Sequence, residues 1–143
     1  MPRKCILAVA SKGGHWRQMK ALSKAYEGHE VRYVSTDASL TEFSVSECSR
    51  SHWWRAIGNI FQFVKIMRQV RPDVVVSTGA LPGLMALIVG YFFGARTIWI
   101  DSIANTERMS LSGRLSRPFA QLWLTQWPEV SDRTGATYVG AVL

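Results

Sequence analysis

Three short stretches of this chain carry side chains suited to acid–base or hydrogen-bonding chemistry on a ligand. The first is SKGGHWRQM, residues 11–19. Gly13 and Gly14 permit a tight turn and close backbone approach. His15 adds an imidazole, which titrates near neutral pH and suits a general base. Free N–H groups at a helix start suit an anion. Arg17 falls within the first helical turn, where a cation opposes the helix dipole, so a ligand or partner role fits it better than helix stability does. The spacing is neither GxGxxG nor a P-loop, and a plain strand-to-helix turn stays open beside the functional reading. The second stretch is STGALPG, residues 77–83. Gly79 and Gly83 bracket a turn and Pro82 lies near a helix start; ligand lining and simple helix initiation are both open. The third is DSIANTERMSLSGR, residues 101–114. Asp101 and Ser102 offer a carboxylate and a hydroxyl to ligand hydroxyls, followed by Asn105 and Glu107. Helix capping by Ser110 or Ser112 accounts for part of this stretch.

These stretches need elements to hold them. Residues 4–10 (KCILAVA) form a continuous apolar run, the mark of a strand covered on both faces. Residues 16–26 have helical periodicity and stop at Gly28. Strands are expected at 31–34, 74–77, 96–100 and 123–125, and helices at 53–70, 84–93 and 114–121. Residues 35–52 read as a polar loop with a short helix. Strands alternating with helices imply a parallel sheet with helices on both faces. Ligands bind beyond the carboxyl ends of such strands, so loops 11–15, 78–82 and 101–113 should converge on one edge.

The chain has 143 residues, 48% of them apolar, which suits one domain over residues 1–143 with a real core. Its formal charge of +7 favours an anionic partner: nucleic acid, lipid surface or phosphorylated ligand. No helix-turn-helix, zinc or ribonucleoprotein signature supports nucleic acid, so none is expected as a partner. Cys5 and Cys48 have neither metal-ligand nor disulfide-framework spacing, and no metal or cofactor is expected. The N-terminal apolar run is too short for a signal peptide, which places the protein inside the cell. Residues 81–100 are apolar but broken by Gly94 and Arg96, so a buried helix and strand are expected there rather than a span.

Helix 53–70 (WWRAIGNIFQFVKIMRQV) has a stripe of Trp53, Ile57, Ile60, Val64 and Met67. Trp54, Phe61 and Phe63 lie outside that stripe, and Arg55, Lys65 and Arg68 surround it. Wide apolar surface with Trp and basic residues is how a helix lies in a lipid interface. Trp53, Trp54, Arg55, Phe61, Lys65 and Arg68 are therefore candidate membrane contacts. A core helix with solvated cations is the competing account.

KGGHWRQM, STGALPG and DSIANTERMSLSGRLSRPFAQLWLTQWPEV together resemble bacterial exopolysaccharide glycosyltransferase subunits of the PssD type. They also resemble the acceptor-side subunit of the split N-acetylglucosaminyltransferase of eukaryotic dolichol-linked oligosaccharide synthesis, the ALG-fourteen type. The N-terminal half of MurG, a single-chain GT-B transferase, is similar more distantly. The resemblance implies a Rossmann-like domain equivalent to the N-terminal half of a GT-B enzyme. It implies a metal-independent, inverting transfer from a UDP-sugar to a lipid-diphosphate-linked saccharide. The UDP-sugar would be held by a separate small subunit, while this chain supplies the acceptor and membrane side, peripherally at the cytoplasmic face of the plasma membrane. His15 falls on the family's Gly-Gly-His loop and inherits the role of base. Gly13, Gly14, Arg17, Gly79, Asp101, Ser102 and Asn105 become acceptor-binding candidates. Asp101–Ser102 stands where the eukaryotic subunits have Glu-Ser, and Ala104–Asn105 where they have Ala-Arg, which favours the bacterial branch. A subunit without chemistry of its own, enhancing a catalytic partner, is the alternative. Partner contact is expected at Trp127, after the fifth predicted strand, and along the apolar tail 138–143, including Tyr138, Val142 and Leu143. The tail completing this domain's own sheet is the competing account.

Overall fold

The computed structural model describes residues 2–141. Seven parallel strands form one sheet in the order β3-β2-β1-β4-β5-β6-β7. They are β1 (Cys5–Ala10), β2 (Glu30–Ser35), β3 (Phe43–Ser44), β4 (Val74–Ser77), β5 (Arg96–Ile100), β6 (Leu122–Thr125) and β7 (Thr137–Tyr138). Helices α1 (Gly14–Ala21), α2 (Arg55–Val70), α3 (Ala80–Phe92), α4 (Leu111–Ser116) and α5 (Pro128–Thr134) connect them, with single 3-10 turns at Ser23–Tyr26, Arg50–His52 and Arg117–Phe119. The chain runs outward from β1 to β3, then returns through α2 to place β4 on the other side of β1. The strand order reverses there, and a crevice opens between the loops after β1 and β4.

The expected parallel α/β sheet is the one observed. Alternate residues of β1 explain its unbroken apolar run. Leu7 and Val9 enter the core that holds Phe63, Met67, Leu84, Leu87 and Trp99. Ile6, Ala8 and Ala10 enter the opposite core, with Met19 and Tyr26. Residues 81–100 form most of α3 and all of β5. Among the described residues no helix is long and apolar enough to cross a membrane. Helix α3 seats tightly on the sheet through small residues: a Cβ on Gly90 would stand 2.7 Å from Val75 Cγ2.

Several elements differ from expectation. Helix α3 begins at Ala80, ahead of Pro82, because a proline in the first turn gives up only an N–H that has no helical partner. The polar segment before α2 contains the two-residue edge strand β3. Helix α5 was not expected at all, although Pro128 at its start, Glu129 in its first turn and left-handed Gly135 at its end are ordinary helix signals.

Helix α2 is the main correction. It starts at Arg55, and its buried side is Asn59, Phe63, Ile66 and Met67. Phe63, which lies outside the sequence stripe, is core, whereas Ile57 of that stripe is exposed, as is Trp53, a candidate membrane contact. The helix is rotated by a polar clamp. Buried Asn59 donates to the Ser46 carbonyl at 2.9 Å and accepts from the Cys48 thiol at 3.1 Å. Gln62 accepts from the Ser46 N–H at 3.0 Å. Burying Asn59 with its partners turns Trp54, Ile57 and Phe61 to the outside.

Candidate functional site

The three loops converge at the crevice. His15 sits at the second position of α1, directly over the loop after β4. Its Nδ1 lies 3.0 Å from the Thr78 carbonyl oxygen, and the Thr78 hydroxyl donates back to the His15 carbonyl at 2.9 Å. A carbonyl only accepts, so Nδ1 carries the proton and Nε2 is left as the basic nitrogen. This is the tautomer and orientation a general base needs.

Gly79 makes that placement feasible. A Cβ there would stand 2.6 Å from His15 Cε1, and its φ of 132° is reserved for glycine. The imidazole thus lies directly against Gly79, which forms the floor beneath His15. The next residue, Ala80, also has positive φ, at 65°. Such strain in a non-glycine residue is characteristic of built sites.

The loop after β5 forms the far wall. Asp101 is 1% exposed. Its Oδ1 accepts from Trp99 Nε1 at 3.1 Å and from the Ser110 hydroxyl at 2.7 Å. Its Oδ2 accepts from Asn105 Nδ2 at 2.9 Å and from the Ser110 N–H at 3.1 Å. All four bonds are internal, so the expectation that this carboxylate meets ligand hydroxyls is corrected: it is the knot that shapes the loop. Ser110 in turn caps α4, accepting from the Gly113 N–H. Gln18, which lies within the first stretch but carries no expected role there, ties this wall to α1. It is buried, with Oε1 accepting from the Ile103 N–H at 3.1 Å.

Two adjoining cavities result. One, of about 480 Å³, is lined by Gly14, His15, Arg17, Gln18 and Ser102 among others. The second, of about 620 Å³, shares His15 and Ser102 and also reaches Asn105. Of the predicted residues, His15, Gly14, Arg17, Ser102 and Asn105 therefore line cavities. Gly13 caps α1 with φ 85°, and the space above it is open. Gly79 and Asp101 lie behind them.

Cys48 also borders the second cavity, but burial, reinforced by nearby Glu47, pushes its thiol up to about 11. It is a thiol at neutral pH, not a nucleophile. Trp127 is half-buried, with its indole N–H donating to the Ile103 carbonyl at 2.7 Å. That bond fixes Trp127 to its own loop at the sheet edge where partner contact was expected. Tyr138 lies in β7, the edge strand of this domain's own sheet, and is exposed. Val142 and Leu143 lie outside the described residues.

A parallel sheet with an imidazole fixed at its switch point defines a Rossmann-like α/β domain. A solved MurG from Acinetobacter baumannii has the same fold, with a TM-score of 0.76 over 98% of this chain and 46% of that one, at 12% identity. A UDP-N-acetylglucosamine 2-epimerase superposes with a TM-score of 0.75 over 92% of this chain and 44% of the other, at 10% identity. The model for oligosaccharide biosynthesis proteins like Alg14 matches residues 44–142, more than half of the sequence, and the chain belongs to that family. The UDP-N-acetylglucosamine transferase subunit alg14 of Schizosaccharomyces pombe is 27% identical over 84% of this chain and 56% of its own length. The corresponding subunit of Eremothecium gossypii is 33% identical over 62% of this chain and 44% of its own length. The chain thus spans about half the length of these curated relatives.

Proposed function

We propose that this chain is the acceptor- and membrane-side subunit of a two-component inverting glycosyltransferase. It transfers a sugar from a UDP-sugar to a lipid-diphosphate-linked saccharide in polysaccharide synthesis of the bacterial exopolysaccharide type. Its UDP-sugar-binding half is a separate small protein. The observation that carries this reading is His15, on the Gly-Gly-His loop at the switch point, with its tautomer set by Thr78. Membership of the Alg14-like family, whose curated relatives are named as transferase subunits, supplies the reaction class.

In this reading His15 Nε2 takes the proton of the acceptor hydroxyl as that oxygen attacks the anomeric carbon. The bond from the anomeric carbon to the UDP oxygen breaks, the new glycosidic bond forms on the opposite face, and UDP leaves with the electron pair. The exposed side of α2 lies on the membrane. Trp53, Trp54, Ile57 and Phe61 supply apolar surface, Phe61 being 71% exposed, and Arg55, Lys65 and Arg68 are exposed beside them. The helix carries no acidic residue, as suits an anionic bilayer at the cytoplasmic face. The nucleotide-binding subunit docks along the β7 edge, where Tyr138 and Val139 are exposed.

The test is turnover of the reconstituted two-subunit complex with His15→Ala. Loss of a general base lowers turnover by roughly a hundredfold or more. Turnover within a few-fold of wild type, with the fold intact by circular dichroism, refutes the assignment.

A further inference from the structure

Among the described residues, one buried side-chain polar atom has no hydrogen-bond partner: the hydroxyl of Ser11. Ser11 is 5% exposed and lines the second cavity. A hydroxyl taken out of water without a partner costs about 1–3 kcal/mol, so such an atom points to a ligand that completes it. The cavity also holds two cations from separate segments, Lys12 after β1 and Arg50 on the turn before α2. Among the described residues neither is in a salt bridge, the ion pairs found there belonging to Arg32. Glu47 is the one carboxylate on the cavity wall, exposed at its margin, and Asp37 lies close enough to Lys12 to feel its charge.

Backbone polarity adds to the side chains. Ala80 and Leu81, the first residues of α3, line the same cavity. This helix of 13 residues has no side-chain cap and no acidic residue in its first turn. Its N-terminal N–H groups and dipole therefore favour an anion there.

We infer that this cavity is a diphosphate subsite in which Lys12, Arg50 and the Ser11 hydroxyl hold the anionic link of the acceptor. The inference rests on the reading of the acceptor as a lipid-linked diphosphate. It is favoured over the donor's diphosphate by what flanks the cavity. His15 lines one side, where the acceptor sugar must react. Arg50 stands three and four residues before exposed Trp53 and Trp54, where hydrocarbon would leave toward the membrane. Sugar and diphosphate thus have places within the cavity, at the imidazole and the cations, and the lipid leaves toward the exposed indoles that follow Arg50 in the chain.

The test is equilibrium binding to the full chain, which needs neither partner nor turnover. The probes are inorganic pyrophosphate, geranyl diphosphate, geraniol and UDP. Pyrophosphate should bind, geranyl diphosphate should bind several-fold more tightly, and geraniol alone should bind poorly. The double variant Lys12→Gln, Arg50→Gln should weaken geranyl diphosphate at least tenfold. Ser11→Ala should weaken it about threefold and supplies a second reading should the double variant fail to fold. Geranyl diphosphate affinity unchanged within twofold in these variants overturns the subsite. So does UDP binding more tightly than geranyl diphosphate with the same loss, which would make the cavity a nucleotide site. A complex without transferase activity but with this binding pattern sinks the transferase reading and leaves the subsite standing; full activity with no binding effect does the reverse.

Discussion

Replacing Asp101 separates a structural knot from a ligand contact. Its carboxylate receives the Trp99 indole N–H, the Asn105 amide, and both the N–H and hydroxyl of Ser110. Hydrogen bonds to a charged acceptor contribute about 1.5–3 kcal/mol each. The four do not add, because Ser110 supplies two of them and its hydroxyl can turn to another acceptor. Trp99 is wholly buried, so its N–H has no access to water when the carboxylate goes. An orphaned buried donor costs about 1–3 kcal/mol. The expected loss for Asp101→Ala is therefore about 3–5 kcal/mol. Asp101→Asn keeps the shape but turns an NH2 group toward at least one donor, and should cost about half as much. Urea unfolding followed by tryptophan fluorescence measures both. With an m-value of about 2 kcal/mol/M, the alanine variant's midpoint falls by about 2 M. A shift below about 0.5 M, accompanied by weakened acceptor binding, would return Asp101 to the ligand and refute the reasoning.

Gly79→Ala forces a side chain into a glycine-only conformation and against the His15 ring, so stability should drop by about 2–3 kcal/mol. Turnover of the complex should fall about as far as in His15→Ala, and a variant with normal turnover would show that the imidazole need not stand there. Cys48 should alkylate slowly with iodoacetamide at pH 8 and faster as pH rises toward 11, because its raised pKa keeps it protonated; rapid reaction at pH 8 under native conditions contradicts its burial. Replacing Trp54 and Phe61 by Ser should weaken co-sedimentation with anionic vesicles several-fold without lowering the melting temperature, since both side chains are exposed, and added salt should weaken it further. Unchanged sedimentation in the folded variant would remove α2 from the membrane.

The layered fold was legible because its signals are local. An unbroken apolar run such as β1 needs cover on both faces, and helices that end at glycines between such runs leave little choice of architecture. The meeting of the three loops followed from chain direction alone, since every strand in a parallel sheet delivers its following loop to the same edge. Helix α5 is equally legible, since Pro128 at its start and left-handed Gly135 at its end are local signals.

Residue roles within the site were another matter. Asp101 and Ser102 are neighbours in sequence and looked alike as polar groups at a strand end. Yet one carboxylate is buried among four donors while the adjacent hydroxyl lines both cavities. Gly79 read as a turn residue because nothing local reveals an imidazole arriving from another segment. The sequence of α2 allows two overlapping apolar stripes, and periodicity cannot rank them. Packing ranked them, by burying Asn59 with partners from the polar segment before the helix. The sequence alone determined the order of elements and the edge that holds the chemistry, since these depend on neighbours along the chain. Only the tertiary structure decided which polar groups face one another and which face a ligand, because that depends on contacts between residues far apart in sequence.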